Sequence, residues 1–231
     1  MPAAIPEYLA SEPSPLGLIS LRRRELPSEP GIVITEITLD HQFLMSSLHT
    51  ASERALAQVA LDLHGAGGLR VLVGGLGLGH TAHAVLESER VASVEVVEYL
   101  APVIHWFETG LLPLSETLSS DPRLALTEGD VYARLWQPSA ERLDVILVDV
   151  DHSPEEPLGA ESESFYTEEG LRRAKRHLAP GGVLGVWSYA ECSPFADALA
   201  RVFADVRVEP VHFENRLLGE VETNWLFFAR G

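Results

Sequence analysis

The chain has 231 residues, 46% of them hydrophobic and 22% charged, with a formal net charge of −17. This composition is typical of a globular protein with room for one α/β domain and a small addition, and its charge disfavours nucleic-acid binding, which needs a positive surface. No apolar run reaches the roughly 20 residues that span a bilayer, no secretory signal is evident, and the single cysteine, Cys192, excludes an intramolecular disulfide. We therefore expect a cytoplasmic protein without nucleic-acid or membrane partners.

The first part of the chain predicts a small β unit. Residues 1–15 are rich in Pro, Ser and Glu and predict a loose arm. Leu16–Arg24 and Gly31–Leu39 have the pattern of two strands, with a proline-containing turn between them. We assign residues 1–45 to this N-terminal arm and β unit.

Residues 46–231 alternate between helix and strand patterns, which is typical of an α/β fold with a mostly parallel sheet. The first predicted helix is Thr50–Leu63, and others follow at Ala101–Leu111, Glu168–Leu178 and Ser193–Phe203. Five strands are predicted between and after them, at Val71–Val73, Ala92–Glu98, Leu124–Thr127, Leu143–Asp149 and Val183–Trp187. The last two strands, Asp205–Phe213 and Thr223–Ala229, have no helix between them and predict an antiparallel pair at the end of the sheet.

A glycine-rich turn follows the first of these strands. The sequence from Arg70 reads RVLVGGLGLGH and continues into a helical pattern. A buried strand that turns sharply into a helix is how an open α/β sheet builds a nucleotide site, because glycines permit the tight turn and the approach of the backbone to a ligand. Four glycines are therefore candidate cofactor contacts: Gly74, Gly75, Gly77 and Gly79.

Acidic residues stand at the ends of the next strands, where ligands bind in open α/β sheets. Glu98 lies 19 residues after Gly79, a separation typical of an acid that accepts hydrogen bonds from ribose hydroxyls. The alternative for Glu98 is a solvated acid. Asp130 precedes Val131, and its carboxylate is suited either to an adenine amino group or to capping the following helix.

The segment after the fourth strand is the candidate catalytic loop. Asp149, Asp151 and His152 lie within four residues of one another. Carboxylates here can bind an ammonium group or act as a base once their pKa is shifted, and the alternative is a polar loop with capping acids. Asp and His also bind metals, but no second cluster of ligands accompanies them, so no metal is predicted.

Three further side chains are candidates for the substrate pocket. Trp187 and Tyr189 follow the fifth strand and could provide aromatic walls for an acceptor, although such residues are often part of a core or its rim. His49 precedes the first helix of the α/β region, near the same edge of the sheet. A structural histidine is the alternative at that position.

Taken together, these residues resemble the spermidine synthase-like (polyamine aminopropyltransferase-like) branch of the class I S-adenosylmethionine-dependent methyltransferase superfamily. The resemblance rests on the glycine loop, on Glu98, Gly129-Asp130 and Asp149, and on Phe165-Tyr166. It implies a Rossmann-like sheet of seven strands with a reversed C-terminal hairpin, and a cofactor that is S-adenosylmethionine or its decarboxylated form. Homodimers are frequent among such proteins, so a homodimer is an expectation here.

The chain also departs from that family pattern. The family's glycine loop carries an Asp that binds the amine of the transferred group, whereas Gly74–Gly79 contains no acid. A second family Asp in the catalytic loop is matched by His152. The segment Leu44–Arg54 lacks the Gln and Tyr that the family offers to its substrate. These departures predict a retained cofactor pocket and an altered polyamine pocket.

The sequence therefore predicts a transferase that acts on a small, cationic or neutral acceptor. The first hypothesis is methyl transfer from S-adenosylmethionine to a nitrogen or oxygen atom, with Asp149, assisted by Asp151 or His152, orienting or deprotonating the acceptor. Aminopropyl transfer from decarboxylated S-adenosylmethionine to a polyamine is the alternative within this class. A nucleotide-binding protein without turnover is the alternative outside it.

Overall fold

The computed structural model describes residues 6–158, 160–216 and 219–231, which form two β-sheets and the helices around the larger sheet. The smaller sheet is antiparallel, and its four strands pair in chain order. They are β1 (Glu7–Ser14), β2 (Gly17–Glu25), β3 (Val33–Leu39) and β4 (Gln42–Ser46).

Two of these four strands were not predicted. The expected loose arm is wrong for Glu7–Ser14, which forms β1, while residues 1–5 lie outside the described part of the chain. β1 is an edge strand, where Pro13 can be accommodated without breaking the sheet. β4 follows β3 through Asp40 and His41, whose positive φ angles (48° and 67°) form a tight hairpin without the glycine that normally signals one.

The larger sheet has seven strands, as the sequence predicted. The order across it is β10-β11-β9-β8-β5-β6-β7, and the five strands from β9 to β7 are parallel. β11 lies between β9 and β10 and is antiparallel to both, which gives the predicted C-terminal hairpin. The strands are β5 (Leu69–Gly74), β6 (Val91–Glu98), β7 (Leu124–Glu128), β8 (Leu143–Val148), β9 (Leu178–Ser188), β10 (Asp205–Asn215) and β11 (Glu220–Arg230).

Helices cover both faces of this sheet. α1 ends at Gly65, whose φ of 75° terminates the helix in the left-handed conformation. None of the helices in the described ranges is long and apolar enough to cross a bilayer. The helices are α1 (Ala51–His64), α2 (His80–Leu86), α3 (Ala101–Glu108), α4 (Ser115–Ser119), α5 (Val131–Trp136), α6 (Ala160–Phe165), α7 (Glu168–His177) and α8 (Ser193–Val202), of which α4 and α6 were not predicted.

The alternation of side chains along β5 divides the core into two layers. Val71 and Val73 are buried on the face covered by α1, α2 and α3, together with Trp106. Leu72 is buried on the opposite face, with Leu199 and the other apolar residues of α7 and α8. The sheet is therefore fixed from both sides, and its carboxyl edge is a rigid base for the loops that follow β5, β6, β7 and β8.

Two contacts attach the small sheet above that edge. The Trp106 indole N–H donates to Glu12 Oε1 at 2.7 Å, which joins α3 to β1. Arg216, just after β10, forms an ion pair with Glu29 at 2.9 Å, which joins the C-terminal hairpin to the turn between β2 and β3. The small sheet and the hairpin thus border the same space at the carboxyl edge of the large sheet.

Candidate functional site

A cavity of about 890 Å³ opens at the carboxyl edge of the large sheet. Its walls come from the loops after β5, β6, β7 and β8, from the small N-terminal sheet, and from the β10–β11 hairpin. This volume is near the upper end of the range typical of small-molecule sites. The position agrees with the rule that open α/β sheets bind ligands at the carboxyl ends of their strands.

The four predicted glycines have two different positions. Gly75 and Gly77 line the cavity, and Gly75 has a φ of 91° and stands so close to the loop after β8 that an added Cβ would lie 2.4 Å from the Asp149 carbonyl oxygen. Gly74 and Gly79 do not line it. A Cβ at Gly74 would lie 2.8 Å from Val131 Cγ1, so this glycine allows β5 and α5 to pack together.

Glu98, at the end of β6, lines the cavity and is buried. Its Oε2 accepts a hydrogen bond from the Leu76 amide at 2.7 Å, and its Oε1 accepts from the Leu100 amide at 2.8 Å. Burial raises the pKa of Glu98, although these backbone hydrogen bonds favour its ionised form. Glu98 therefore fixes the glycine loop from the wall of the cavity.

Asp130 caps α5 and also lines the cavity. Its Oδ1 accepts hydrogen bonds from the amides of Tyr132 (2.8 Å) and Ala133 (3.3 Å). Its Oδ2 has no donor within the described residues. The two roles considered for Asp130 are thus compatible, because one oxygen caps the helix while the other is available to a ligand. Val131, the next residue, lines the cavity as well.

Asp149 follows β8 and lies deep in the cavity wall. Its Oδ2 accepts a hydrogen bond from the Thr81 hydroxyl at 2.5 Å, and its Oδ1 has no donor among the described residues. Burial raises the pKa of Asp149 to about 6, despite the opposing effect of the Thr81 bond. This carboxylate therefore combines access from the cavity with a pKa suited to proton transfer near neutral pH.

Glu53, in the first turn of α1, is a second buried acid at this place and was not among the predicted site residues. Burial, followed by repulsion from the Asp149 carboxylate, raises the pKa of Glu53 to about 7. An acid early in a predicted helix usually indicates only a favourable interaction with the helix dipole. Nothing local therefore distinguishes Glu53, and it becomes notable only when the fold brings it to Asp149.

A short chain of hydrogen bonds orients Glu53. The Asn224 side-chain amide donates to Ser52 Oγ at 2.9 Å, and the Ser52 hydroxyl donates to Glu53 Oε2 at 2.7 Å. Asn224 belongs to β11 and also lines the cavity. The C-terminal hairpin thus fixes a carboxylate that is carried by the first helix of the α/β region.

Asp151 and His152 differ in their surroundings, although both line the cavity. The Asp151 carboxylate accepts hydrogen bonds from Tyr132 Oη (2.5 Å), Tyr166 Oη (2.8 Å) and the Leu158 amide (2.6 Å). These three donors use Asp151 to fix the loop after β8. His152 is half-buried, and its carbonyl accepts a hydrogen bond from the Tyr189 amide at 2.9 Å.

The three predicted substrate-pocket residues all line the cavity. The His49 ring lies 5.0 Å from the ring of Phe213, and burial lowers the pKa of this histidine. Trp187 Nε1 and His49 Nε2 are buried without a hydrogen-bond partner in the described ranges. Tyr189 is exposed, and its hydroxyl donates to Glu156 at 2.6 Å. The hairpin adds four residues that the sequence did not indicate: Phe213, Asn215, Glu222 and Asn224.

The cavity is strongly acidic. Of the described residues that line it, only Arg22 and Arg24 carry a permanent positive charge, and both form ion pairs with the buried Glu36. No cluster of His, Cys, Asp and Glu suited to a metal ion is present in the described ranges. The carboxylates that line the cavity are those of Glu36, Glu53, Glu98, Asp130, Asp149, Asp151 and Glu222.

The fold and the cavity define a Rossmann-like protein of the class I methyltransferase type, with a small antiparallel sheet placed before it. The comparisons agree with this class. The chain is 30% identical over 150 residues to a polyamine aminopropyltransferase from Prochlorococcus marinus, a match that covers 65% of this chain and 48% of that protein. The chain thus matches about half the length of this curated relative. No protein-family model matches the chain.

Solved structures of spermidine synthases share the fold. The enzyme from Thermotoga maritima aligns with 97% of this chain and 72% of its own, with a TM-score of 0.77 and 20% identity. A spermidine synthase in complex with the transition-state analogue AdoDATO gives a TM-score of 0.76 at 22% identity, covering 97% and 73%. A probable spermidine synthase from Corynebacterium glutamicum gives 0.66 at 18%, covering 96% and 79%. The predicted resemblance and the predicted fold class are confirmed.

Proposed function

We propose that this protein is an aminopropyltransferase that uses decarboxylated S-adenosylmethionine as donor and a small amine as acceptor. The observation that carries the proposal is the pair of carboxylates, the buried Glu53 and the half-buried Asp149, in a cavity that offers them no cation. Two carboxylates largely removed from water are costly unless a positive group joins them. The sequence relative named a polyamine aminopropyltransferase supports the same reaction class.

The charge of the cavity favours a donor without a carboxylate. S-adenosylmethionine carries one on its methionyl part, which would be repelled by the acids beside the glycine loop unless a cation bound it. The two guanidinium groups of the cavity, Arg22 and Arg24, are already engaged with Glu36 at 2.8 and 2.7 Å. For this reason, and because of the relatives, the aminopropyl alternative is preferred over the methyl transfer that the sequence first suggested.

Each predicted cofactor residue has a place in this proposal. Gly75 and Gly77 provide the close backbone approach, Glu98 binds the ribose, and the free oxygen of Asp130 accepts from the adenine amino group. The donor supplies a sulfonium that activates the neighbouring carbon. The acceptor nitrogen forms the new bond to this carbon while the bond between the carbon and the sulfonium sulfur breaks and releases methylthioadenosine. Asp149 orients the acceptor amine and takes up the proton that its nitrogen loses.

The test is a product assay with purified protein. Decarboxylated S-adenosylmethionine and putrescine should give methylthioadenosine and an aminopropylated amine, and S-adenosylmethionine with the same acceptor should give no S-adenosylhomocysteine. Asp149→Asn should lower the rate by about two orders of magnitude or more while retaining methylthioadenosine binding, and the surface change Glu108→Gln should leave both unchanged. S-adenosylhomocysteine formation would support methyl transfer instead. Methylthioadenosine binding without turnover with any amine would favour a non-catalytic protein.

A further inference from the structure

We propose that Glu53 is a donor-specificity residue: together with Asp149 it binds the terminal ammonium group of the aminopropyl chain, and Asn224 positions it through Ser52. This inference rests on the proposed function and adds the residue that selects an amine-bearing donor. It assigns a role to the first turn of α1 and to strand β11, neither of which the motif analysis connected with the cofactor.

The glycine loop cannot supply this carboxylate itself. Gly74–Gly79 contains no acid, and the space beside Gly77 is already filled. An added Cβ there would lie 2.6 Å from the sulfur atom of Met45, on β4. A charged side chain at Gly77 would therefore displace Met45, so an acid for this part of the cavity has to come from another element.

Glu53 meets the requirements for that role. It is buried, it lines the cavity, and its charge and that of Asp149 interact. The Asp149 oxygen that does not bind Thr81 has no donor in the described ranges, so the pair can accept further hydrogen bonds. A primary ammonium brings three donors and one positive charge, which suits two carboxylates that share an otherwise uncompensated charge.

The donor's ammonium can share Asp149 with the acceptor's amine. Asp149 is bonded to Thr81, two residues after Gly79, and its carbonyl packs against Gly75. The donor chain is attached to the sulfonium that this loop faces in the proposed function. A carboxylate offers about four acceptor positions, of which Thr81 takes one, so Asp149 can bind the donor's ammonium and still take up the proton that the attacking nitrogen loses. The donor's ammonium stays protonated throughout the reaction, and Glu53 is the acid that is left to it alone.

The Asn224–Ser52–Glu53 chain explains how the carboxylate is kept in place. Its two hydrogen bonds, 2.9 and 2.7 Å long, run from β11 to α1 and end on Glu53 Oε2. Ser52 is buried, so its hydroxyl has little freedom to turn elsewhere. Asn224 is therefore a positioning residue, and its effect on donor binding should be in the same direction as that of Glu53 but smaller.

The test compares two thioethers, both uncharged at sulfur, by calorimetric titration at pH 7.5. One is methylthioadenosine, and the other is the adenosyl thioether that carries an aminopropyl chain in place of the methyl group, so only the second brings an ammonium. Glu53→Gln should weaken binding of the amine-bearing thioether by about tenfold or more and leave methylthioadenosine binding unchanged. Asn224→Ala should give a smaller loss of the same selectivity, and Glu108→Gln should give none.

The outcomes separate this inference from the function on which it rests. Equal loss of both thioethers in Glu53→Gln, or no loss of either, would overturn the role of Glu53 while leaving the adenosyl pocket intact. If the unmodified protein binds neither thioether, the proposed function itself fails. A Glu53→Gln variant that binds both thioethers normally but has a raised KM for the amine acceptor would place Glu53 at the acceptor end and contradict the assignment.

Discussion

The substitution Glu53→Gln should make the empty protein more stable at alkaline pH. In the native protein, burial and the nearby Asp149 charge raise the pKa of Glu53 from 4.5 to about 7. The folded state therefore binds this proton more tightly than the unfolded state does. The protonated Glu53 therefore contributes stability that is fully present below about pH 4.5 and is lost as the pH rises through about 7. Glutamine keeps the acceptor for Ser52 and carries no charge, so the variant escapes this loss.

The size of the effect follows from the two pKa values. Ionising Glu53 in the folded protein costs at most about 3 kcal/mol relative to the unfolded chain. The cavity admits water and partly screens the charge, so we expect a gain of about 2 kcal/mol at pH 8. For a chain of this length, such a gain corresponds to a rise in Tm of roughly 4–8 °C.

Thermal unfolding of the two proteins, followed by circular dichroism at pH 4 and pH 8, measures this difference. The variant should unfold at a higher temperature at pH 8 and within about 1 °C of the parent at pH 4, where Glu53 is mostly protonated in both the folded and the unfolded protein. Titrating groups distant from Glu53 contribute equally to both proteins and cancel in the comparison, whereas Asp149 loses a repelling neighbour in the variant and so adds to the gain at pH 8. A gain of the same size at both pH values would mean that packing, not charge, is responsible. A loss at pH 8 would show that the ionised carboxylate has a partner, and would refute the reasoning.

Three further substitutions test other parts of the site. Gly75→Ala places a Cβ 2.4 Å from the Asp149 carbonyl oxygen at a φ of 91°. Methylthioadenosine binding, measured by calorimetry, should be abolished, and the unfolding free energy, measured by urea denaturation, should fall by about 2 kcal/mol or more. Tyr166→Phe removes the 2.8 Å hydrogen bond to Asp151 and should lower the unfolding free energy, measured by urea denaturation, by about 1 kcal/mol. An unchanged unfolding free energy would mean that this bond does not stabilise the loop after β8. Glu98→Gln should weaken methylthioadenosine binding about tenfold at pH 7; undiminished affinity would exclude a ribose contact.

The parts of the site that could be predicted from the sequence are those that depend on local pattern. A strand, a glycine turn and a helix occupy consecutive residues, so their periodicity and composition identify the loop at Gly75 and Gly77. Glu98 is the last residue of a strand, Asp130 and Asp149 follow strands by two residues and by one, and parallel strands bring their carboxyl ends to one edge. The fold fixes such positions from the order of its elements, without requiring any side-chain contact to be known.

The parts that could not be predicted depend on contacts between distant segments. The carboxylate of Asp151 has the same sequence context as that of Asp149. The hydroxyls of Tyr132, on α5, and of Tyr166, in the turn after α6, show that it is engaged. The contribution of the C-terminal hairpin depends on the length of β10 and β11, which extend beyond the predicted ends by two or three residues. These added residues include Asn215 and Glu222, which line the cavity.

The expectation of methyl transfer also left out contacts between segments that are distant in the sequence. It followed from the absence of an acid in Gly74–Gly79, from His152 in place of a second Asp, and from the missing Gln and Tyr in Leu44–Arg54, on the assumption that contacts missing from these segments are missing from the site. That assumption holds only if no other element can reach the same space. In this fold the first turn of α1 borders the same cavity as the glycine loop, and Glu53 in that turn adds a buried acid whose charge interacts with that of Asp149. The charge of a pocket is a property of all the elements that border it, so the loss of one motif residue predicts a change of reaction only after the neighbouring elements have been taken into account.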